Sequence, residues 1–494
     1  MEQSIKSIIK KVTVIFAAVL ICTAFTHQCY GQKFNTKFGN ATEDQQYLAI
    51  IEELYFYIQE NYVDEVDANK LYQGAVKGML ESLDDPYSAY LDTAGWRAIS
   101  DTTTGSFGGV GLYISKSPVS TPEDPAYVNV SMPIENSPGA KAGIKSGDLI
   151  IKINGTDTST ITMEEVLDKL RGPVGESVQV TIRRGKTYEF DVTLVREIIE
   201  NITVKYAMID SIGYISMTEF SVNTTAKIQE ALDFFKSSSY TGLIIDLRYN
   251  GGGLLSTAVN IADKFIDEGM IVSTKSRISY QNAQYKASAS KTKVKNIPVV
   301  VLVNNASASA SEVLAGALKD TKKAVLVGEK TYGKGSVQVP TQLFDNDGFK
   351  LTIAKYYSPS DSNIDGVGIE PDVEVTFPEL SDEEEKAYVE ILNSGEIEAY
   401  VENKGTVTED DIRAFSKSLA EKYNLAGDSA YLRKLIRNRS ENVETAKIYD
   451  LDYDVQLNKA LEIAKNSAEY EKILKNSKTL KEMELQQNEN KEGK

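Results

Sequence analysis

Three serines, Ser307, Ser309 and Ser311, stand in the segment Asn304-Asn-Ala-Ser-Ala-Ser-Ala-Ser-Glu312, between an apolar run, Pro298 to Val303, and a helical run, Val313 to Leu318. A hydroxyl at a strand-to-helix junction meets backbone N–H groups and the positive end of a helix dipole, which favour negative charge developing on a carbonyl under attack. That is the setting of a hydrolytic nucleophile. The same residues also fit a helix start, because Ser309 followed by Glu312 makes a capping box and the serines would then only begin a helix. Local chemistry does not choose among the three hydroxyls.

A serine nucleophile needs a base. The single histidine, His27, and both cysteines, Cys22 and Cys29, fall in an N-terminal segment with the order of a secretory leader: Lys6, Lys10 and Lys11, then apolar Val12 to Phe25, then polar residues. Small residues before Gln32 put the expected cut after Gly31, giving a leader over 1–31. The protein is therefore expected to be exported, periplasmic or in the cell envelope, and membrane-anchored if the leader stays. Without that leader there is no imidazole base, no thiol, no disulfide and no histidine metal ligand. The base must then be Lys, Asp, Glu or Tyr.

Lys334 is the candidate, in Thr331-Tyr-Gly-Lys-Gly-Ser-Val-Gln338-Val-Pro340. A strand here puts Lys334, Ser336 and Gln338 on one face, and a helix still aligns Lys334 with Gln338. To act as a base the amine must be shifted down from about 10.4 by about 3 units, or roughly 4 kcal/mol against the charged form. Gln338 would orient that amine without adding charge. The competing reading is an ordinary surface lysine in a turn.

Two glycine-rich loops complete the candidates. Asp246-Leu-Arg248-Tyr-Asn250-Gly251-Gly252-Gly253 follows the apolar run Leu243 to Leu247, and its N–H groups suit an oxyanion hole or a tight turn. It has neither the P-loop nor the dinucleotide spacing. Gly105 to Leu112 precedes an exposed-looking strand, where a glycine-rich backbone can hold a terminal carboxylate while the strand edge pairs with an extended peptide.

The elements that must position these residues divide the chain into several domains. All 12 prolines lie between Pro86 and Pro378, so a loop-rich centre is flanked by two helix-compatible ends. Leu48, Ile51, Leu54, Tyr55 and Ile58, then Leu71, Val76 and Leu80, predict helices in an N-terminal region over 40–100. Short alternating strands over 101–196 predict a β-rich module: Val110 to Ile114, Tyr127 to Val130, Leu149 to Ile153, Val178 to Arg183 and Phe190 to Leu194. Helices are expected at Ser137 to Ala142 and Met163 to Leu170. Over 197–378, continuous apolar runs alternate with helical stretches, as an α/β domain with strands buried on both faces requires. Ser381 with Glu384 and Thr408 with Asp411 signal helix starts in a C-terminal helical region over 379–476. Residues 477–494, rich in Lys, Glu, Gln and Asn, read as a disordered tail without a packed role. The formal charge is −17, and loss of Lys6, Lys10, Lys11 and Glu2 takes it to about −19. So acidic a body excludes nucleic acid as a partner.

In sequence the chain resembles the carboxyl-terminal processing (tail-specific) serine peptidases with a PDZ domain. The resemblance runs from about Tyr47 to Val375. It is carried by Asp85-Pro-Tyr-Ser-Ala-Tyr-Leu91, Phe107-Gly-Gly-Val-Gly-Leu112, Ser137-Pro-Gly-Ala-Lys-Ala-Gly143 with Gly147-Asp148, Asp246 to Gly253, Ser307 to Glu312, Gly333 to Gln338 and Gly368-Ile-Glu-Pro-Asp372.

The resemblance implies a multidomain α/β and α+β protein: a crotonase-like α/β catalytic core with an inserted β-rich PDZ domain and helical N- and C-terminal regions. It matches Ser309 to the nucleophile, Lys334 to the general base and Gln338 to the residue that positions the lysine. Ala310 and the Gly252-Gly253 turn match the oxyanion hole, and Gly108, Gly109, Val110, Gly111 and Leu112 the peptide-binding loop. Arg171 matches a PDZ arginine that couples peptide binding to the active site. Asp361, in Ser358-Pro-Ser-Asp361, departs from the usual glycine. The implied activity is serine-type endopeptidase cleavage of exported proteins at or near their C-termini, with no cofactor and with protein or peptide tails as partners. The alternatives are a non-catalytic PDZ scaffold or chaperone, and an acyl hydrolase acting on thioesters.

Overall fold

The computed structural model describes residues 42–121, 125–344, 346–425, 429–440 and 447–492. The expected leader, with His27 and both cysteines, lies outside them. The chain divides into two units, the first ending at Asp84 and the second starting at Asp85.

The first unit holds α1 (Glu43–Asn61) and α2 (Ala68–Glu81), where the apolar spacing predicts helices. Thr42 and Gln45 form a reciprocal capping box at α1, and Asp67 accepts from the N–H groups of Asn69 and Lys70 at α2.

The second unit opens with β1 (Ala89–Leu91), α3 (Thr93–Thr104) and β2 (Ser106–Gly109). The β-rich module follows as β3 (Leu112–Lys116), β4 (Val128–Pro133), α4 (Pro138–Lys141), β5 (Leu149–Ile153), α5 (Met163–Leu170), β6 (Ser177–Arg184), β7 (Tyr188–Val195) and β8 (Glu197–Glu200). Its antiparallel sheet runs β3-β4-β5-β6-β7, so β3 is an edge strand, while β8 returns to pair with β2. Alternate residues Val128, Val130, Val178, Val180 and Ile182 face one core shared with Val166 and Leu170 of α5, the period-2 burial that the sequence displays.

Next come β9 (Val204–Ile209), β10 (Ile212–Met217), α6 (Thr224–Ser237), β11 (Gly242–Asp246), α7 (Leu255–Ala262), β12 (Met270–Lys275), β13 (Ala283–Lys286), β14 (Val299–Val303), α8 (Ala310–Asp320), β15 (Val325–Gly328), β16 (Ser336–Gln342), β17 (Gly348–Tyr357) and β18 (Val373–Glu374). The main sheet has the order β9-β10-β11-β14-β15-β18, parallel except for β9. Leu243, Ile245, Val299, Val301 and Val303 pack on the side of α6, α7 and α8, whereas Ile244, Val300 and Leu302 face the other way. Such strands need cover on both faces, and that explains their unbroken apolar sequence. A second, antiparallel sheet runs β1-β17-β12-β13, with β16 also on β17.

The second face of the main sheet is covered from the far end of the chain. There, α9 (Asp382–Ser394), α10 (Glu396–Lys404), α11 (Glu409–Lys422) and α12 (Ala430–Ser440) pack on one another through Tyr388, Ile391, Ile412, Leu419, Leu432 and Ile436. Ser381 with Glu384 and Thr408 with Asp411 form the predicted capping boxes. Beyond them α13 (Val455–Lys465) and α14 (Ser467–Asn476) lay Leu457, Ala460, Leu461, Ile463 and Tyr470 on the main sheet. The region set apart at 379–476 thus splits between a small helical core and the covering layer of the main sheet. The tail also differs from its reading as disordered. Its residues form α15 (Leu480–Glu492), with Leu480 buried and Met483 against the main core. Two apolar residues one turn apart, and an N–H from Leu480 to Asp320 Oδ1 at 2.7 Å, anchor an otherwise polar helix. No helix among the described residues is long and apolar enough to cross a membrane.

Candidate active site

Ser309 is the N-cap of α8, with a backbone unlike that of the other polar caps. The N-caps Thr162, Ser381 and Thr408 have extended backbones and accept an N–H with their side chains. Ser309 instead has φ 55° and ψ −114°, and its side chain makes no cap hydrogen bond as close as theirs. A non-glycine residue in that region is strained by about 1–3 kcal/mol. The predicted capping box of Ser309 and Glu312 is present, its return arm running from Ser309 N–H to Glu312 Oε2 at 2.9 Å. The neighbouring hydroxyls are otherwise engaged. Ser307 Oγ donates to Leu247 O at 2.8 Å and Ser311 Oγ to Asn250 O at 2.8 Å, both side chains being buried. Ser309 stays open to a cavity of about 450 Å³ that it lines.

Lys334 lines the same cavity, with Gly251, Gly253, Ala310, Ser336 and Gln338; Ile99, Leu255, Val313 and Pro340 supply apolar wall. Its amine makes no ion pair or hydrogen bond with a described residue and lies 5.2 Å from the centre of the Tyr87 ring. Burial, aided by the like charge of Lys350, holds its pKa below that of an ordinary lysine, against the pull of Glu312 and Asp85. This is the direction required of a lysine base.

The loop carrying Lys334 is fixed by Glu312. That carboxylate, buried in α8, accepts Lys334 N–H on Oε2 at 2.8 Å, and Thr331 Oγ1 and Gly333 N–H on Oε1 at 2.6 and 2.7 Å. Burial pushes the Glu312 carboxyl up, against the hydrogen bonds from Thr331, Lys334, Gly333 and Ser309. On the carbonyl side, Tyr356 Oη lies within hydrogen-bond reach of both Ser309 O, at 3.2 Å, and Lys334 O. Gln338 is in the cavity but not on the amine. Its Nε2 donates to Ser336 Oγ and Thr352 Oγ1 at 2.9 and 3.1 Å, and a register shift in β16 between Val337 and Gln338 breaks the simple alternation.

The glycine loop after β11 packs against the Ser309 turn. A Cβ on Gly252, where φ is 107°, would meet Ala308 O at 2.8 Å, Ser309 Cβ at 2.9 Å and Ala310 N at 3.0 Å. Gly252 N–H is already held by Asn250 Oδ1 at 2.9 Å, so of the predicted glycine donors Gly253 is the one left open. The N–H groups of Gly253 and Ala310 have no acceptor among the described residues. Two free amides beside the Ser309 turn suit a tetrahedral oxyanion.

Residues 211–375 match the family model of peptidase family S41, residues 130–184 that of the PDZ domain, and residues 15–95 that of the activating protease CtpB N-terminal domain. Over 371 residues the chain is 36% identical to the carboxy-terminal-processing protease of Bartonella bacilliformis, covering 74% of this chain and 83% of that protein. The chain belongs to the carboxy-terminal processing protease family. The carboxy-terminal processing protease CtpA of Bacillus subtilis is 35% identical over 66% of this chain and 68% of its own length. The solved structure of a photosystem II D1 C-terminal processing protease shares 30% identity over 68% of this chain and 94% of its own, at a TM-score of 0.39 that carries no weight.

In this member of the family the loop Gly108 to Leu112 leads into edge strand β3, and Gly111, at φ 69°, packs against Ser137. Arg171, just after α5, pairs with Asp101 of α3 and lies 4.2 Å over the Phe107 ring. The same helix α3 lends Ile99, Thr102 and Thr103 to the cavity. Asp361 takes φ 63°, the conformation that favours glycine, which aspartate tolerates better than most residues. Sequence reasoning saw Glu312 only as a cap partner and did not single out Tyr356 or Thr331. The spacing from Ser309 to Glu312 was the one available signal.

Proposed function

We propose that this family member is a serine endopeptidase that cuts exported proteins at or near their C-termini, with Ser309 as nucleophile and Lys334 as base. The observation that carries the reading is a serine in a strained conformation that shares one cavity with a desolvated, unpaired lysine. Neutral Lys334 accepts the Ser309 proton as Oγ bonds to the scissile carbonyl carbon. The N–H groups of Ala310 and Gly253 receive the oxyanion, and the Lys334 ammonium returns its proton to the departing amine. Lys334 then activates water to release the acyl group. Gln338, whose Oε1 accepts from no described residue, supplies an acceptor able to hold the amine when its side chain turns toward it. The loop Gly108 to Leu112 and the free edge of β3 take the substrate tail as an added strand, and the contact of Arg171 with α3 couples that event to the cavity wall. Export follows from the leader read at residues 1–31.

The test is cleavage of an unstructured protein with an apolar C-terminal tail by the wild type and by Ser309→Ala. The variant is expected to bind the tail and not cut it. Cleavage that persists in the variant, or a wild type that binds tails without cutting, overturns the reading.

A further inference from the structure

The loop that carries Gly253 is held by a charge cluster whose outermost member comes from the C-terminal helical layer, beyond the segment that matches the peptidase family model. Arg248, 8% exposed at its side chain, sits between two carboxylates. Toward Asp246 it donates from Nε at 2.9 Å and Nη2 at 2.6 Å. Toward Asp454 it donates from Nη1 at 2.8 Å and Nη2 at 2.6 Å, and Nη1 also reaches Gln456 Oε1 at 3.0 Å. Tyr214 Oη donates to Asp246 Oδ2 at 2.8 Å. A buried guanidinium with bidentate partners on both sides has one orientation.

That orientation passes along the main chain to the glycines. Tyr249, at φ 60°, donates its N–H to Asn304 Oδ1 at 2.9 Å. Asn250 holds Gly252 N–H with Oδ1, donates Nδ2 to Met217 O, and accepts Ala308 N–H and Ser311 Oγ on its carbonyl. Asp454 itself is fixed twice: it caps α13 through Leu457 N–H at 2.9 Å, and α13 is packed on the main sheet.

We propose that Asp454 is a positioning residue that holds the oxyanion loop in place through Arg248, making the C-terminal helical layer a working part of the active site rather than an appendage. The inference rests on the reading of Gly253 and Ala310 as oxyanion donors. Removing the carboxylate charge leaves Arg248 half-paired in a buried site and frees the loop to relax, while substrate contacts elsewhere stay as they are.

The experiment compares full-length wild type, Asp454→Asn and Ala460→Gly. Asparagine caps a helix as well as aspartate does, so the first variant loses the charge pair and keeps the cap. Ala460→Gly loosens α13 without touching Arg248. Hydrogen exchange is followed at the Tyr249 and Gly252 amides, alongside kcat and KM on a peptide with an apolar tail and thermal unfolding of each protein. Expected for Asp454→Asn are loop exchange faster by about tenfold or more, kcat lower by about tenfold or more and KM within about twofold. Ala460→Gly should keep loop protection and kcat at equal or greater loss of thermal stability. Unchanged loop exchange in Asp454→Asn, faster exchange with kcat retained, or the same losses in Ala460→Gly would each overturn the proposal. If the wild type shows no Ser309-dependent turnover, the dyad reading fails, while the exchange data still decide whether Asp454 holds the loop.

Discussion

The backbone amides of Ser309 and Lys334 converge on one oxygen atom, Glu312 Oε2, at 2.9 and 2.8 Å. Two residues 25 positions apart in sequence are thereby held in register by a third, and the Tyr356 hydroxyl spans their carbonyls from the other side. Replacing Glu312 with Gln sets an NH₂ against N–H donors that now meet a carboxylate, and a buried donor without an acceptor is unfavourable by about 1–3 kcal/mol. Glu312→Gln is therefore expected to lower kcat by about 100-fold, with KM changed by no more than about threefold. Steady-state kinetics on one peptide, with circular dichroism to show that the fold persists, check this.

The positive φ of Ser309 predicts an inversion of the usual order of stability. Glycine occupies φ 55°, ψ −114° without the Cβ clash that alanine keeps. Ser309→Gly should be more stable than Ser309→Ala by about 1 kcal/mol, with both inactive. Denaturant unfolding of the two variants measures the difference. Equal stability would show that Ser309 is unstrained.

How legible all this is in the sequence depends on how far each partner lies along the chain. Strands β11 and β14 are read from unbroken apolar runs, because burial on both faces is a local demand. The choice among three serines is not, since Ser307 and Ser311 find their acceptors 60 and 61 residues away. Ser309 and Glu312 were legible as a capping box, but the reach of the same carboxylate to Thr331, Gly333 and Lys334 was not, because those partners lie 19 to 22 residues on. Tyr356, at 47 residues from Ser309, left no pattern at all. The misreading of the last helix has the same origin: composition reported its polar face, while Leu480 and Met483 fixed its place.

Lysine burial sets the expected pH behaviour. Lys334 is depressed by desolvation and then by Lys350, so Lys350→Met should move the rising limb of kcat/KM to higher pH. Stability follows the opposite partner of the same equilibrium. The unfolded lysine binds its proton more tightly than the folded one, so the protein gains stability as pH rises from the lowered value to about 10.4. Lys334→Met, with no proton to lose, should melt a few degrees higher at most near neutrality, with the advantage vanishing in alkali. Melting curves across pH test the sign.

Gly252 and Gly251 should respond in opposite ways to the same change. A methyl group on Gly252 runs into Ala308 O, Ser309 Cβ and Ala310 N, whereas on Gly251 it meets nothing within 4 Å. Gly252→Ala is expected to lose about 100-fold or more in kcat, the scale of a displaced oxyanion donor. Gly251→Ala should stay within about threefold of wild type in kcat.

Because Glu312 and Tyr356 grip the main chain and not the reacting side chains, the frame does not depend on the chemistry it serves. A descendant that replaced the hydroxyl or the amine would keep its cavity and its PDZ module. On the proposed reading it would become a receptor for protein tails in a single step, with nothing in its architecture to betray the loss except one letter.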